Sequence, residues 1–269
     1  MSDVTLPPGW RLVSLDAVDS TNAELRRLSE AGGGGLPSPG YGLEGLTVSA
    51  ATQTAGRGRR GRAWGSPRGN LSVSILVDVG GPRGNAGELS FVAGVALHDA
   101  LTALAPGLGL ALKWPNDLLL DGQKLAGILL ETVFPAGAPQ GHGAVIIGTG
   151  VNLADVPDLG ALYPVTALSR HGVSILPETL LTVYAEALAS WLDRWRRQGF
   201  TAVRAAWLAA AHGVGGPVVA RLAGGEEIPG TFEALNEDGA LWLRTVDGTL
   251  RPILAGDVFF GLDPVREGA

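Results

Sequence analysis

The sequence predicts an α/β domain followed by a small all-β domain, and three observations carry that reading. Apolar runs of strand length alternate with helical patterns as far as about Gly213. Beyond it come short strand-like runs punctuated by Gly224-Gly225, Asp238-Gly239 and Asp247-Gly248. The chain has 269 residues, 46% of them hydrophobic, enough to bury the core of one large or two modest domains. The expected division is residues 1–213 and 214–269.

In order, Trp10–Leu15 alternates weakly as a first strand. Ser20-Thr21-Asn22 are helix-capping types, and Glu24 follows Thr21 by three as in a capping box, so a helix to about Ala31 is expected. Residues 32–45 are Gly/Pro-rich and read as a loop of no evident chemistry. Leu46–Ala51 and Leu71–Val77 read as strands, and Leu89–Leu104 has helical spacing. Leu110–Trp114 is a short strand stopped by Pro115. Asp121-Gly122 marks a hairpin between Leu118–Leu120 and Lys124–Glu131. Val145–Val151 is a further strand. Pro177–Arg197 is a long amphipathic helix opening on proline, and Ala202–Ala211 a shorter one, with Trp191, Trp195 and Trp207 assigned to the core. Five short strands from Pro217 to Phe260 suggest a small closed β-barrel, whose closure would remove exposed edges.

Composition excludes several classes. There is no cysteine, hence no disulfide and no thiolate metal site. No apolar run reaches the roughly 20 residues of a membrane helix. The start, MSDVTLPPGW, lacks the basic and apolar regions of a signal peptide, so a cytoplasmic protein is expected.

Chemistry concentrates at residues 52–70, TQTAGRGRRGRAWGSPRGN, where five arginines and five glycines stand in a chain of net charge -6. Glycines allow positive φ and close backbone approach, and arginines present fixed forks to phosphate and carboxylate. The stretch reads as a mobile anion clamp. Gly56-x-Gly58-x-x-Gly61 matches a dinucleotide fingerprint, but Gly65, Pro67 and Gly69 forbid the helix that must follow it. One basic run in an acidic chain argues against nucleic acid. Residues 113–127, KWPNDLLLDGQKLAG, add Lys113 and Lys124, either able to hold a phosphoryl group. Asn116 suits a base edge, and Asp117 a turn or a metal.

Together these blocks resemble bacterial biotin protein ligases. The resemblance rests on Asp19-Ser20-Thr21-Asn22, on Gln53-x-Ala55-Gly56-Arg57-Gly58-Arg59-Arg60-Gly61-Arg62-x-Trp64, on Lys113-Trp114-Pro115-Asn116-Asp117 with Lys124-Leu125-Ala126-Gly127-Ile128, and on Gly148-x-Gly150-x-Asn152. It spans nearly the whole chain. It implies a catalytic domain related to class II aminoacyl-tRNA synthetases and an SH3-like C-terminal domain. It implies Ser20, Thr21, Asn22 and Gln53 around biotin, and Gly56, Arg57, Gly58 and Arg59 closing over biotin and its adenylate. Lys124 would meet the biotin carboxylate and the phosphoryl group, with Arg59 and Lys124 as the catalytic pair. Arg62, Trp64, Asn116 and Asn152 would face ATP. ATP, Mg²⁺ and biotin are the implied small molecules, with no metal ligand assigned, and a biotin carboxyl carrier protein is the implied partner. A homodimer is left open. Some members carry an N-terminal winged helix-turn-helix that binds an operator. Here the blocks begin by Ser20, so a ligase without operator binding is expected. Two rival readings are a lipoate or octanoate ligase or transferase of the related fold, and a non-enzymatic biotin or nucleotide sensor.

Overall fold

The computed structural model describes residues 4–31, 44–79, 86–135, 143–156, 164–222 and 224–260. The Gly/Pro-rich stretch expected at 32–45 therefore lies outside the described residues except for its last two positions, and so does the chain beyond 260. The first strand, β1 (Arg11–Val18), pairs in parallel with β2 (Leu46–Gln53), and α1 (Thr21–Glu30) lies between them in sequence. The remaining strands of this sheet are antiparallel: β3 (Leu71–Asp78), β4 (Leu110–Lys113), β5 (Asp117–Leu120), β6 (Gln123–Val133) and β7 (Ala144–Val151). The spatial order is β1-β2-β3-β7-β6-β5-β4. Asp121-Gly122 turns the β5–β6 hairpin with both residues at positive φ, which favours glycine at the second position. The chain enters β5 through a cis Trp114–Pro115 bond.

Period-2 alternation sends the two sides of this sheet to different cores. Leu76 and Ile146 pack with Val48, Val133 and Leu25 of α1. Ile75, Val77, Val145 and Ile147 face the other way, onto α2 (Leu89–Leu104), α3 (Pro177–Gln198) and α4 (Phe200–Ala209). Helix α2 is apolar nearly all round because it is sandwiched between sheet and helices, with Val92, Ala93, Ala96, Leu97 and Leu101 all buried.

The capping box does not form. Ser20 is the N-cap and makes no side-chain cap bond. Glu24 is then the fourth helical residue, one too far to reach back, and it pairs with Arg27 at 2.6 Å. Thr21 is left free for other work.

The second sheet holds β8 (Pro217–Arg221), β9 (Glu227–Leu235), β10 (Leu241–Thr245), β11 (Leu250–Ile253) and β12 (Asp257–Phe260), all antiparallel, in the order β11-β10-β9-β8-β12. The expected closure is not made by a ladder: among the described residues no pairing joins β11 to β12.

Candidate active site

The cavity lies on the α1 side of the large sheet, and its floor is built by leaving side chains out. Gly148 and Gly150 stand on the same face of β7, and Gly127 of β6 is Gly150's partner in register. A Cβ on Gly148 would fall 2.2 Å from Asn22 Oδ1, and one on Gly150 would fall 2.3 Å from Trp64 Nε1. Only glycine lets these two side chains lie down on the strand. Ser74 of β3 is opposite Gly148 and completes the floor.

The N-terminus of α1 makes one wall. Thr21 donates from its backbone N–H to Gln53 Oε1 at 2.8 Å, and Gln53 Nε2 donates to Ser66 Oγ at 2.7 Å. Ser74 Oγ lies 2.8 Å from Thr21 Oγ1 and 2.6 Å from Asn22 Oδ1. Asn22 Nδ2 donates to Glu131 Oε2 at 3.1 Å. Ser20, Thr21 and Asn22 are each about 95% buried, so this network is a rigid polar pocket rather than a solvated cap.

The arginine loop makes the facing wall and splits its charges. Arg57 meets Glu131 Oε1 at 3.3 Å, while Arg60 and Arg62 both meet Asp257, each at 3.0 Å. Arg59 instead turns to the cavity and donates to Asn116 Oδ1 at 3.1 Å. Burial pushes the Arg59 guanidinium below its ordinary value, opposed by the carboxylates of Asp257 and Asp117. An arginine remains charged under any such push.

Lys124 closes the third side. Its Nζ donates to Asp117 Oδ1 at 2.6 Å and stands 5.6 Å from the centroid of the Trp64 ring. Its backbone is held by a strap from the following loop, N–H to Pro164 O at 2.9 Å and O to Thr166 N at 2.9 Å. Asn116 is held by its own Nδ2 on Ile128 O at 2.6 Å. Burial pushes the neighbouring Lys113 ammonium down, with Asp117 opposing.

The result is a cavity of about 230 Å³. Its lining includes Ser20, Thr21, Asn22, Gln53, Arg57, Gly58, Arg59, Arg62, Trp64, Asn116, Lys124 and Asn152. Of the residues expected there, Gly56 alone is not on the lining; a Cβ on it would fall 2.4 Å from the Trp64 carbonyl, so it serves the loop's own packing. Asn152 reaches the wall with its Nδ2 committed to Thr166 O at 3.1 Å. Four cations (Arg57, Arg59, Arg62, Lys124) face two carboxylates (Asp117, Asp257) on the lining, an excess of positive charge that favours an anionic ligand. Sequence reading missed Glu131 and Asp257 as partners and the three floor glycines as a set. The glycines alone left a signal, the period-2 pair Gly148-x-Gly150 inside a strand.

The Biotin/lipoate A/B protein ligase family matches residues 43–152, and the Biotin protein ligase C terminal domain matches residues 214–261. A biotin–[acetyl-CoA-carboxylase] ligase of Paracoccus denitrificans is 43% identical over 92% of this chain and 99% of its own length. The chain belongs to the biotin protein ligase family. A second biotin–[acetyl-CoA-carboxylase] ligase of the family, from Mycobacterium tuberculosis, is 33% identical over 93% of this chain and 89% of its own. Among solved structures, the biotin protein ligase of Aquifex aeolicus in complex with biotin and ATP superposes with a TM-score of 0.74 at 26% identity, covering 92% of this chain and 97% of that one. Among the described residues no helix is long and apolar enough to cross a membrane.

Proposed function

We propose that this chain is a biotin–[acetyl-CoA-carboxylase] ligase, which makes biotinyl-5'-AMP from biotin and ATP and passes the biotinyl group to a lysine of a carrier protein. The observation that carries the reading is that one positively biased cavity gathers all four sequence blocks. The 43% identical relative, a ligase by name, supports it at the level of the whole chain.

Biotin takes the polar pocket of Ser20, Thr21, Asn22 and Gln53. Its carboxylate then points toward Lys124 and Arg59. That carboxylate attacks the α-phosphorus of ATP, the bond to the bridging oxygen of pyrophosphate breaks, and biotinyl-5'-AMP remains. Bringing a carboxylate onto a polyanion is opposed by charge repulsion, and fixed cations offset it where charge develops. Lys124 and Arg59 do this directly. Arg57 and Arg62 add positive charge on the same lining. No general base is needed, because the nucleophile is already an anion, so the chain's remaining task is positioning. In the second step the carrier lysine attacks the acyl carbon of the mixed anhydride and AMP leaves.

Trp64 and Asn116 are assigned to the nucleotide side, with Arg62 and Asn152 at its edge. Mg²⁺ accompanies ATP as the counter-ion of its phosphates. Among the described residues there is no cluster of three or more His, Cys, Asp or Glu side chains. In this reading residues 1–213 are the catalytic domain and residues 214–269 the smaller C-terminal domain. The partner is a biotin carboxyl carrier domain, and the compartment is the cytoplasm.

The test is ATP-dependent transfer of biotin to a biotin carboxyl carrier domain, with lipoate as competitor. Biotin-dependent release of AMP and pyrophosphate, unaffected by lipoate, is expected. Preferential transfer of lipoate, or no AMP production with biotin and carrier, overturns the reading.

A further inference from the structure

The C-terminal sheet has no chemistry of its own, yet it touches the arginine loop at one point with unusual density. Arg59 Nη1 lies 3.5 Å from the Gly256 carbonyl. Arg60 Nη1 donates to Asp257 Oδ2 at 3.0 Å, and Arg62 Nη2 donates to Asp257 Oδ1 at 3.0 Å and Oδ2 at 3.3 Å. Three arginines of one short loop thus converge on Gly256 and Asp257, where β12 begins, across 195 or more residues of sequence. The Asp257 side chain is only 10% exposed, so its charge needs these partners.

A second observation concerns the loop's backbone. Arg60 sits in the left-handed region at φ 57° and ψ 30°, inside the short 3-10 turn Arg59–Gly61. A non-glycine residue there is strained, and such conformations persist only where surrounding contacts over-determine them. Backbone bonds close the turn, Gly58 N–H to Arg62 O at 2.7 Å and Arg62 N–H to Arg59 O at 3.3 Å, and the Arg60–Asp257 pair ties its side chain to the C-terminal sheet. With Arg60 turned outward, Arg59 on its N-terminal side turns to the cavity and Asn116.

We propose that Asp257 is a positioning residue for adenylation: by anchoring Arg60 and Arg62 it sets the loop backbone so that Arg59 is presented to the phosphoryl group, which makes the C-terminal sheet a working part of the site. This rests on the assignment of Arg59 to the adenylate in the ligase reading. Asp257 acts through the loop, and its partner Arg60 does not line the cavity, so Arg60 reports on the tether alone.

The experiment measures biotinyl-AMP release by stopped flow, and KM for ATP and kcat in biotin-dependent pyrophosphate exchange, on the full chain. Asp257→Asn and Arg60→Gln are each expected to speed adenylate release about tenfold and to raise the ATP KM more than they lower kcat, with the unfolding midpoint nearly unchanged. Asp257→Glu, which keeps the charge, is expected to recover most of the loss. Combining Asp257→Asn with Arg60→Gln should do little beyond Asp257→Asn alone, because the Arg60 link is already lost when Asp257 is neutralised. Wild-type release in Arg60→Gln overturns the proposal, even if Asp257→Asn proves unable to fold. Effects that multiply in the double variant overturn it as well. A wild-type chain that forms no biotinyl-AMP sinks the ligase reading itself. One that forms and holds it, while both variants release it equally slowly, sinks only the tether.

Discussion

Lys124 carries a charge that its own neighbour half cancels. The 2.6 Å bond to Asp117 fixes the ammonium beside Trp64, and a fixed cation costs no reorganisation when negative charge develops near it. Lys124→Ala should therefore slow biotin-dependent pyrophosphate exchange by about 10²–10³. It should also cost about 1–3 kcal/mol of stability, since Asp117 would be left buried without that donor. Exchange at the wild-type rate would remove Lys124 from the site. Arg59 differs, because it belongs to the arginine loop and not to a strand. Arg59→Gly should leave the unfolding midpoint almost unmoved and shorten adenylate retention by about an order of magnitude. An unchanged dissociation rate in stopped flow would disprove that role. Both residues were readable in the sequence because their chemistry sits in short motifs. Their carboxylate partners were not. Glu131 meets Arg57 across 74 residues and Asp257 meets Arg60 across 197, and neither distance leaves a local trace. Those pairs arise where the arginine loop packs against β6 and against the start of β12.

The elements themselves were largely legible, since period and punctuation are local. Helix α2 is found at Leu89–Leu104 as the spacing predicts, and the Asp121-Gly122 hairpin turns where expected. What failed depended on contacts beyond the element. The capping box at Thr21 and Glu24 lost to Gln53 and Ser74, which recruit Thr21 into the pocket. The floor of β7 shows how an element can be read as a strand and still hide its function. Its glycines weaken the strand, and their use is the room they leave. Gly148→Ala would push a methyl to within 2.2 Å of Asn22 Oδ1, an atom held by Ser74 and so unable to yield. The variant should lose about 1–3 kcal/mol of stability. If Asn22 lines the biotin pocket as proposed, it should weaken biotin binding more than ATP binding in calorimetric titration. Equal weakening of both ligands would contradict the assignment of that wall.

At the scale of the molecule the two sheets share one core. Phe232, Leu241, Leu243 and Val258 of the small sheet belong to the same apolar cluster as Ile75, Leu97 and Leu188. Phe91, Phe200 and Trp207 stack edge-on at 5.3 and 5.4 Å, and Phe232 extends the cluster at 6.5 Å from Trp207. Trp114 Nε1 donates across the seam to Gly239 O at 3.0 Å. Such a seam should make unfolding a single transition, which a tether between lid and small sheet requires. His212 is the seam's titratable reporter. Its backbone N–H donates to Leu112 O at 2.7 Å and its ring meets Phe260 edge-on at 4.7 Å. Burial, and then the Lys113 charge, hold its folded pKa below the ordinary histidine value. With the folded value depressed, both states are neutral above about pH 6.5, where stability is full. As pH falls below that, the unfolded chain takes up a proton that the folded chain resists, so stability declines. His212→Gln removes this proton and should make the fall in unfolding midpoint between about pH 7 and pH 5.5 shallower than in the wild type, with no change above pH 7. Parallel midpoint curves for the two proteins across that window would show that the seam does not resist charging at His212.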